Sequence, residues 1–258
     1  MTGTTTSTTT SKAGERIFLA GATGVIGRML VPLLTGAGYT VYGSTRRAER
    51  SAALDAMGVT PVVVDVFDAM ALRAAVQRVA PTVVIHQLTD LPAGLDPQQM
   101  ADAVVRNARI RSEGTRNLVD AAVAAGCERM VAQSIAWAYA PGPQPYTEAQ
   151  PLDLDAQGAR SVSVVGVAAL ERCVLDTPGL QGAVLRYGQL YGPGSGATSP
   201  AGASPVHVEA AAWAALLAVQ HAAHGAFNVT EDNDVVSNAR ARRELGWEPS
   251  LRLSAESM

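Results

Sequence analysis

A short apolar run, Ile17-Phe-Leu-Ala20, leads into Gly21-Ala-Thr-Gly-Val-Ile-Gly27 and then into a helical pattern. Glycine permits a tight turn at Gly21, close approach of the backbone to a phosphate at Gly24, and tight helix–strand packing at Gly27. The helix start behind the loop, with Thr23, Val25 and Ile26, offers free N–H groups and a positive dipole end to an anion. Glycine trios also serve plain turns, but this placement between a strand and a helix favours a dinucleotide site. About eighteen residues past Gly27, where such folds place an acid for the ribose hydroxyls, stand Thr45, Arg46 and Arg47 with no carboxylate. A guanidinium at that place pairs with a 2′-phosphate, so NADP(H) is expected rather than NAD. Asp65 and Val66 end the third expected strand, where a carboxylate can accept from an adenine amino group.

What is missing narrows the chemistry further. Of the 20 Lys and Arg, one is lysine, Lys12, and it lies in a tail of small polar residues. The body of the chain therefore has no amine for a Schiff base and no phosphate-loop lysine. Arginine-rich coding explains the bias without function, but the exclusion holds either way. A net charge of −3 and scattered arginines give no electrostatic case for nucleic acid or an anionic membrane. No run of about 18 apolar residues suggests a membrane span. Cys127 and Cys173 lie in apolar helical contexts without metal-ligand spacing, which predicts free thiols in a reducing, cytoplasmic compartment. The four histidines have no metal-like partner spacing, and no metal is expected. His86, inside an apolar strand, reads as a satisfied core residue.

The elements that must position these residues follow from periodicity. With 48% hydrophobic and 17% charged residues the chain can bury a sizeable core. Short β-branched runs alternate with Ala/Leu/Val-rich helical stretches, which predicts an α/β fold with a doubly wound parallel sheet. Strands are expected at Ile17–Ala20, Val41–Ser44, Thr60–Val64, Thr82–His86, Met130–Gln133 and Gly182–Tyr187. Helices are expected at Val25–Ala37, Arg47–Met57, Ala69–Val79, Met100–Ala125, Val162–Leu175, Glu209–His221 and Asn238–Leu245. Residues 1–15 read as a disordered tail and 16–258 as one domain. Its substrate-binding parts, about 141–160 and 192–258, include two Pro/Gly-rich segments that follow strands at the carboxyl edge.

These residues resemble the short-chain dehydrogenase/reductase superfamily, in its extended and atypical branches, which include NAD-dependent epimerases and dehydratases. The likeness rests on Gly21 to Gly27, Val84-Ile-His86, Glu113-Gly-Thr-Arg-Asn-Leu118, Leu185-Arg-Tyr-Gly-Gln-Leu-Tyr-Gly-Pro193, Pro205-Val-His-Val-Glu209 and Leu245-Gly-Trp-Glu-Pro249. It implies that Gln87, Leu88 and Thr89 line the cofactor and that Tyr187, Gly188 and Gln189 lie beside the nicotinamide. It also implies a reaction centre of Ser or Thr after the fifth strand, with a Tyr and a Lys four residues later on the next helix. Ser134 falls within the serine run, with Ile135 at the usual catalytic place. Anchoring the next helix on Glu171 puts Ser163 at the tyrosine position and Val167 at the lysine position. No tyrosine occurs between Pro151 and Arg186, so no register slip restores the pair.

Hydride transfer to a carbonyl then needs another source for the proton, and Ser134, Tyr139 and Tyr187 are the candidate catalytic residues, with Thr89 and Ser163 nearby. An unperturbed hydroxyl is a poor acid at neutral pH but can still polarise a carbonyl. Water or a phenol on the substrate can supply the proton, and this substrate-assisted route is the one favoured. Atypical members that reduce aromatic polyketides, such as angucyclinone ketoreductases, are thought to work without the tyrosine, a resemblance that points to antibiotic biosynthesis. Sugar-nucleotide members of the extended branch carry a sizeable insertion after the Gly-Pro turn; here only the loop Gly194–Ser204, without a basic residue, follows Pro193, so the resemblance does not point to a sugar nucleotide. The expectation is a ketoreductase for a compact apolar, aromatic or polyketide-like carbonyl compound. A non-catalytic NADP-binding sensor or scaffold is the second reading, and an epimerase or isomerase the third. Pairing of the helices Met100–Ala125 and Val162–Leu175 into a homodimer is implied by analogy alone.

Overall fold

Alternate residues of each strand face opposite ways, and in this chain both faces are apolar. In β1 (Arg16–Ala20), Ile17 and Leu19 enter one core cluster while Phe18 and Ala20 enter another. In β4 (Val83–His86), Val83 and Ile85 join the first and Val84 the second. Such strands read as continuous apolar runs because helices cover both faces of a parallel sheet. The computed structural model describes residues 14–92, 96 and 98–254. With β2 (Thr40–Thr45), β3 (Thr60–Val63), β5 (Arg129–Ile135), β6 (Gln181–Tyr187) and β9 (Gly225–Val229) these strands form a seven-stranded sheet, ordered β3-β2-β1-β4-β5-β6-β9. Every pairing is parallel.

Helices α1 (Val25–Gly36) and α7 (Val208–Gln220) pack together on one face. On the other lie α3 (Ala69–Val79), α4 (Met100–Arg109), α5 (Thr115–Ala124) and α6 (Gly158–Leu175), with α3 against α5 and α4 against α6. Strand order reverses between β1 and β4, so the connections leave their carboxyl ends in opposite directions and open a crevice there. The C-terminal stretch seals the first face. Trp247 follows α8 (Ala239–Leu245), is fully buried, and donates its indole N–H to the Ala210 carbonyl at 2.8 Å.

The six expected strands and seven expected helices are present, with four differences. The expected helix Arg47–Met57 divides into a 3₁₀ turn, Ala48–Arg50, and the short α2, Ser51–Ala56. The expected helix Met100–Ala125 is interrupted by a π turn, Ile110–Gly114, where the Thr115 N–H reaches the Ile110 carbonyl. Helix α6 starts at Gly158, four residues before Val162. Three strands had no sequence signal: β9, whose run contains Gly225 and Asn228, and the three-residue β7 (Gln189–Tyr191) and β8 (Pro205–His207), which form a separate two-stranded sheet. Most of the expected tail, 1–13, lies outside the described residues. Glu15 does not behave as tail: it accepts an ion pair from Arg129 at 3.0 Å, beside the start of β5. No helix is long and apolar enough to cross a membrane among the described residues.

Candidate active site

The loop between β1 and α1 turns back on itself, with the Gly24 N–H donating to the Gly21 carbonyl at 2.9 Å. Gly21 has φ +94°, and a Cβ on it would lie 2.6 Å from the Gln87 carbonyl oxygen, so no other residue fits. A Cβ on Gly27 would collide with the Gly21 carbonyl, which explains the third glycine by packing alone. No side chain caps α1 at Gly24, leaving its first-turn N–H groups to an anion. Beside this loop a cleft of about 260 Å³ is lined by Gly21, Thr23, Gly24, Thr45, Arg46, Arg47, Asp65, Val66, Gln87, Leu88 and Thr89, among others. Val25, Ile26 and Gly27 lie behind it. The lining also includes Arg50, which sequence reading passed over. Its guanidinium donates to Thr23 Oγ1 at 3.3 Å, over the glycine loop. The run Arg46-Arg47-Ala-Glu-Arg50 held that signal, but only its first two members were used. Arg46 reaches Asp90 across the cleft at 3.8 Å, and Arg106 reaches the same carboxylate at 3.3 Å.

The strand ends around the cleft are fixed by side chains. Asp65 Oδ1 accepts from the Phe67 N–H at 3.0 Å, and Asn117 donates to the Val66 carbonyl at 2.9 Å. His86 Nδ1 accepts from the Leu88 N–H, so its Nε2 carries the proton and donates to Thr115 Oγ1 at 3.0 Å. Burial first, and the charge of Arg111 second, push His86 down to about 4, so it is a neutral core residue as expected. Gln87 is 4% exposed, donates to the Tyr187 hydroxyl at 3.4 Å, and its Oε1 has no donor. A buried acceptor left open at the wall of a cleft suits a ligand that brings its own N–H, as a nicotinamide carboxamide does. The glycine cradle and the open Gln87 carbonyl therefore fit a nicotinamide dinucleotide.

The expected catalytic residues are brought together, but in a closed arrangement. Ser134 donates to Glu171 Oε1 at 2.7 Å, and Arg186 grips both oxygens of Glu171 at 2.9 and 2.6 Å. Arg186 also donates to the Tyr139 hydroxyl at 2.8 Å, and that hydroxyl donates to Asn228 Oδ1 at 2.6 Å. Ser134, Tyr139, Glu171, Arg186 and Asn228 are all buried. Burial raises the Tyr139 phenol, and Arg186 only partly offsets this. Tyr187, fully enclosed, is raised more strongly by burial. Gly188 is packed against Ser204, and Gln189 accepts from the Ser204 N–H and hydroxyl, so neither lines the cleft. At the position expected for lysine, Val167 is fully buried in an apolar cluster with Ala138, Val164, Ile135 and Leu152. Ser163 is buried one turn earlier. Sequence reading noticed Glu171 only as an alignment anchor and missed Arg186 and Asn228, since partners far apart in the chain leave no local pattern.

One residue past the end of β5 a second pocket begins, about 320 Å³ in volume. Trp137, Tyr139 and Tyr146 supply its aromatic walls, and Ser204, Val235 and Val236 come from the C-terminal segments. Tyr139 and Tyr146 stack at 5.2 Å. Arg160 belongs to the rim but is spent: it pairs with Asp153 at 2.8 Å and donates to the Trp137 and Tyr139 carbonyls. Among the described residues no three His, Cys, Asp or Glu side chains gather as metal ligands would.

The signature of the NAD dependent epimerase/dehydratase family matches residues 17–215, most of the folded chain. The chain belongs to this family. Within it, the chain is similar to a 3-diazoavenalumate denitrifying reductase from a Streptomyces species, 42% identical over 238 residues, covering 84% of this chain and 76% of that protein. Among solved structures it resembles the UDP-glucose 4-epimerase of Thermotoga maritima with UDP-glucose, at 17% identity and TM-score 0.74, covering 94% and 95% of the two chains. The Thermus thermophilus UDP-glucose 4-epimerase with NAD gives 20% identity and TM-score 0.72, covering 92% and 95%. These epimerases share the fold. The family and the reductase relative together make this chain a nicotinamide-dependent oxidoreductase.

Proposed function

We propose that this protein is an NADPH-dependent reductase that removes the diazo group of an aromatic acid as N2. The observation that carries the reading is the commitment of the site's hydroxyls. Ser134 donates to Glu171, Tyr139 donates to Asn228, and Tyr187 is enclosed with its phenol raised. A carbonyl reduced here, the expectation from sequence, leaves an alkoxide with no ready acid beside it. A diazo group removes that requirement. A dihydronicotinamide bound in the cleft supplies one hydride, and diazonium plus hydride gives arene plus N2 with no proton drawn from the protein. The relative's name, a denitrifying reductase of a diazo compound, supports the same chemistry.

The residues then divide the work. The Gly21 to Gly24 loop and the start of α1 hold the pyrophosphate, and Asp65 the adenine. Arg46, Arg47 and Arg50 meet the 2′-phosphate, which favours NADPH over NADH. Gln87 takes the carboxamide. Trp137, Tyr139 and Tyr146 form a slot of a size suited to one aromatic ring system. The Glu171–Arg186 pair, held by Ser134 and Tyr139, keeps the ends of β5 and β6 rigid beside it. Val105 on α4 and Val162 and Val165 on α6 are exposed apolar residues on neighbouring helices and suit a homodimer face.

The test is stoichiometry. With NADPH and an aryl diazo acid, one N2 and one deaminated arene should appear per NADPH consumed, and NADH should be the poorer donor. Consumption of NADPH by the matching aryl ketone, with the diazo acid untouched, would replace this reading with ketoreduction. Tight NADPH binding with no turnover of either would favour the sensor.

A further inference from the structure

An ion pair spans the cofactor cleft. Arg46 follows β2, Asp90 lies on the loop that leaves β4, and both line the cleft. Arg46 Nη2 stands 3.8 Å from Asp90 Oδ2, a Coulomb contact without a hydrogen bond. The two side chains are 48% and 27% exposed, so water screens the contact and it is loose. Arg47 and Arg50 have no carboxylate partner among the described residues, and Arg50 leans instead on Thr23 Oγ1. Arg46 is therefore the rim arginine that already faces an acid. The other carboxylate of the lining, Asp65, is committed to the Phe67 N–H.

Asp90 does not depend on Arg46 for its place. Its backbone N–H donates to Asn107 Oδ1 at 3.3 Å, and its carboxylate lies 3.3 Å from Arg106 Nε, both residues of α4. Asn107 is buried, so the Asp90 backbone is fixed from the α4 side. When Arg46 turns away, the Asp90 carboxylate keeps a cation beside it and water around it. The cost of orphaning a buried charge does not arise. A phosphate competes for Arg46 on better terms, because it carries more charge and matches the planar fork of the guanidinium.

We infer that Asp90 is a specificity-determining residue, the counter-ion that Arg46 leaves when a 2′-phosphate binds and regains when the oxidised cofactor departs. This deepens the proposed NADPH reading and rests on it. Two effects of the carboxylate act in one direction. It holds Arg46 in the empty cleft, so the phosphate must first break that contact. It also repels the phosphate that settles on the same guanidinium. Asp90 thus narrows the preference for NADPH over NADH and speeds the release of NADP+. A nucleotide with a free 2′-hydroxyl feels neither effect, since it neither draws on Arg46 nor adds charge there.

Calorimetric titration with adenosine 2′,5′-bisphosphate and adenosine 5′-monophosphate tests this without turnover. Asp90→Asn and Asp90→Ala, which both keep the backbone N–H to Asn107, should tighten the bisphosphate about 3- to 10-fold and leave the monophosphate within about 2-fold. The gain should appear mainly as slower dissociation of NADP+ in stopped-flow displacement. In an Arg46→Met background the same Asp90 changes should gain about 2-fold or less, because the contact they release is already gone. Weaker bisphosphate binding in the Asp90 variants would make Asp90 an orienting partner of Arg46 and overturn the inference. Equal tightening of both nucleotides, or a full gain without Arg46, would overturn it as well. If neither the wild type nor the Asp90 variants distinguish the two nucleotides, the NADPH reading fails and this inference falls with it. A wild-type preference for the bisphosphate that the Asp90 variants leave unaltered overturns this inference alone.

Discussion

At the carboxyl ends of β1, β2 and β4, polar groups face outward into a cleft: three arginines at its rim, an uncapped helix start, and a Gln87 carbonyl without a donor. At the ends of β5 and β6 the polar groups face one another. Ser134, Glu171, Arg186, Tyr139 and Asn228 satisfy each other and are buried. The first region presents unpaired polar groups to a cleft, and the second is a strut. The same sheet thus has one open end, where the proposed hydride donor would sit, and one closed end, where the family resemblance places the proton donor. That separation teaches that loss of the acid need not mean loss of chemistry, provided the hydride acceptor requires no proton.

The largest expected effect falls on the open region. Gly21→Val places a side chain on the Gln87 carbonyl at a backbone angle valine avoids, and dinucleotide binding should be lost, as read by quenching of tryptophan fluorescence on NADPH addition. The strut comes next. Glu171→Ala leaves Arg186 buried without its partner and should destabilise the fold by about 3–5 kcal/mol in urea unfolding. A loss under about 1 kcal/mol would mean that the pair is not the strut described.

Between the two regions, His86 offers a pH test. Its folded value is lowered to about 4 from 6.5, so the stability tied to its neutral form is fully present above 6.5 and is lost as pH falls toward 4. The loss across that window should approach about 3 kcal/mol, and His86→Gln should flatten it. At the rim, Arg46→Ala with Arg47→Ala should weaken NADPH about 10- to 100-fold and leave NADH nearly unchanged, by equilibrium titration. Equal weakening of both would remove the 2′-phosphate assignment. The smallest effect belongs to Tyr139→Phe. If its hydroxyl serves the strut, stability should drop by about 1 kcal/mol while kcat changes little.

How far the sequence could be read follows the same division. The glycine loop and six core strands are local signals, a fixed spacing of glycines and unbroken apolar runs, and both were legible. The edge strand β9 was not, because Gly225 and Asn228 interrupt its pattern and Asn228 is there for Tyr139 and the Tyr146 carbonyl rather than for packing. The strut joins Tyr139 to a residue 89 positions away, which no periodicity records. Ser134 and Tyr139 were expected beside the chemistry, but their orientation toward Glu171 and Asn228 exists only in the fold.

Under the proposed function, hydride transfer proceeds without a proton from the protein. Isotope effects on turnover of an aryl diazo acid test it directly, with deuterium at the transferring position of NADPH in one arm and in the solvent in the other. A primary effect from the labelled cofactor, with rates unchanged in heavy water, is the predicted result. A solvent isotope effect that multiplies with the cofactor effect would place a proton in flight in the same transition state and contradict the account.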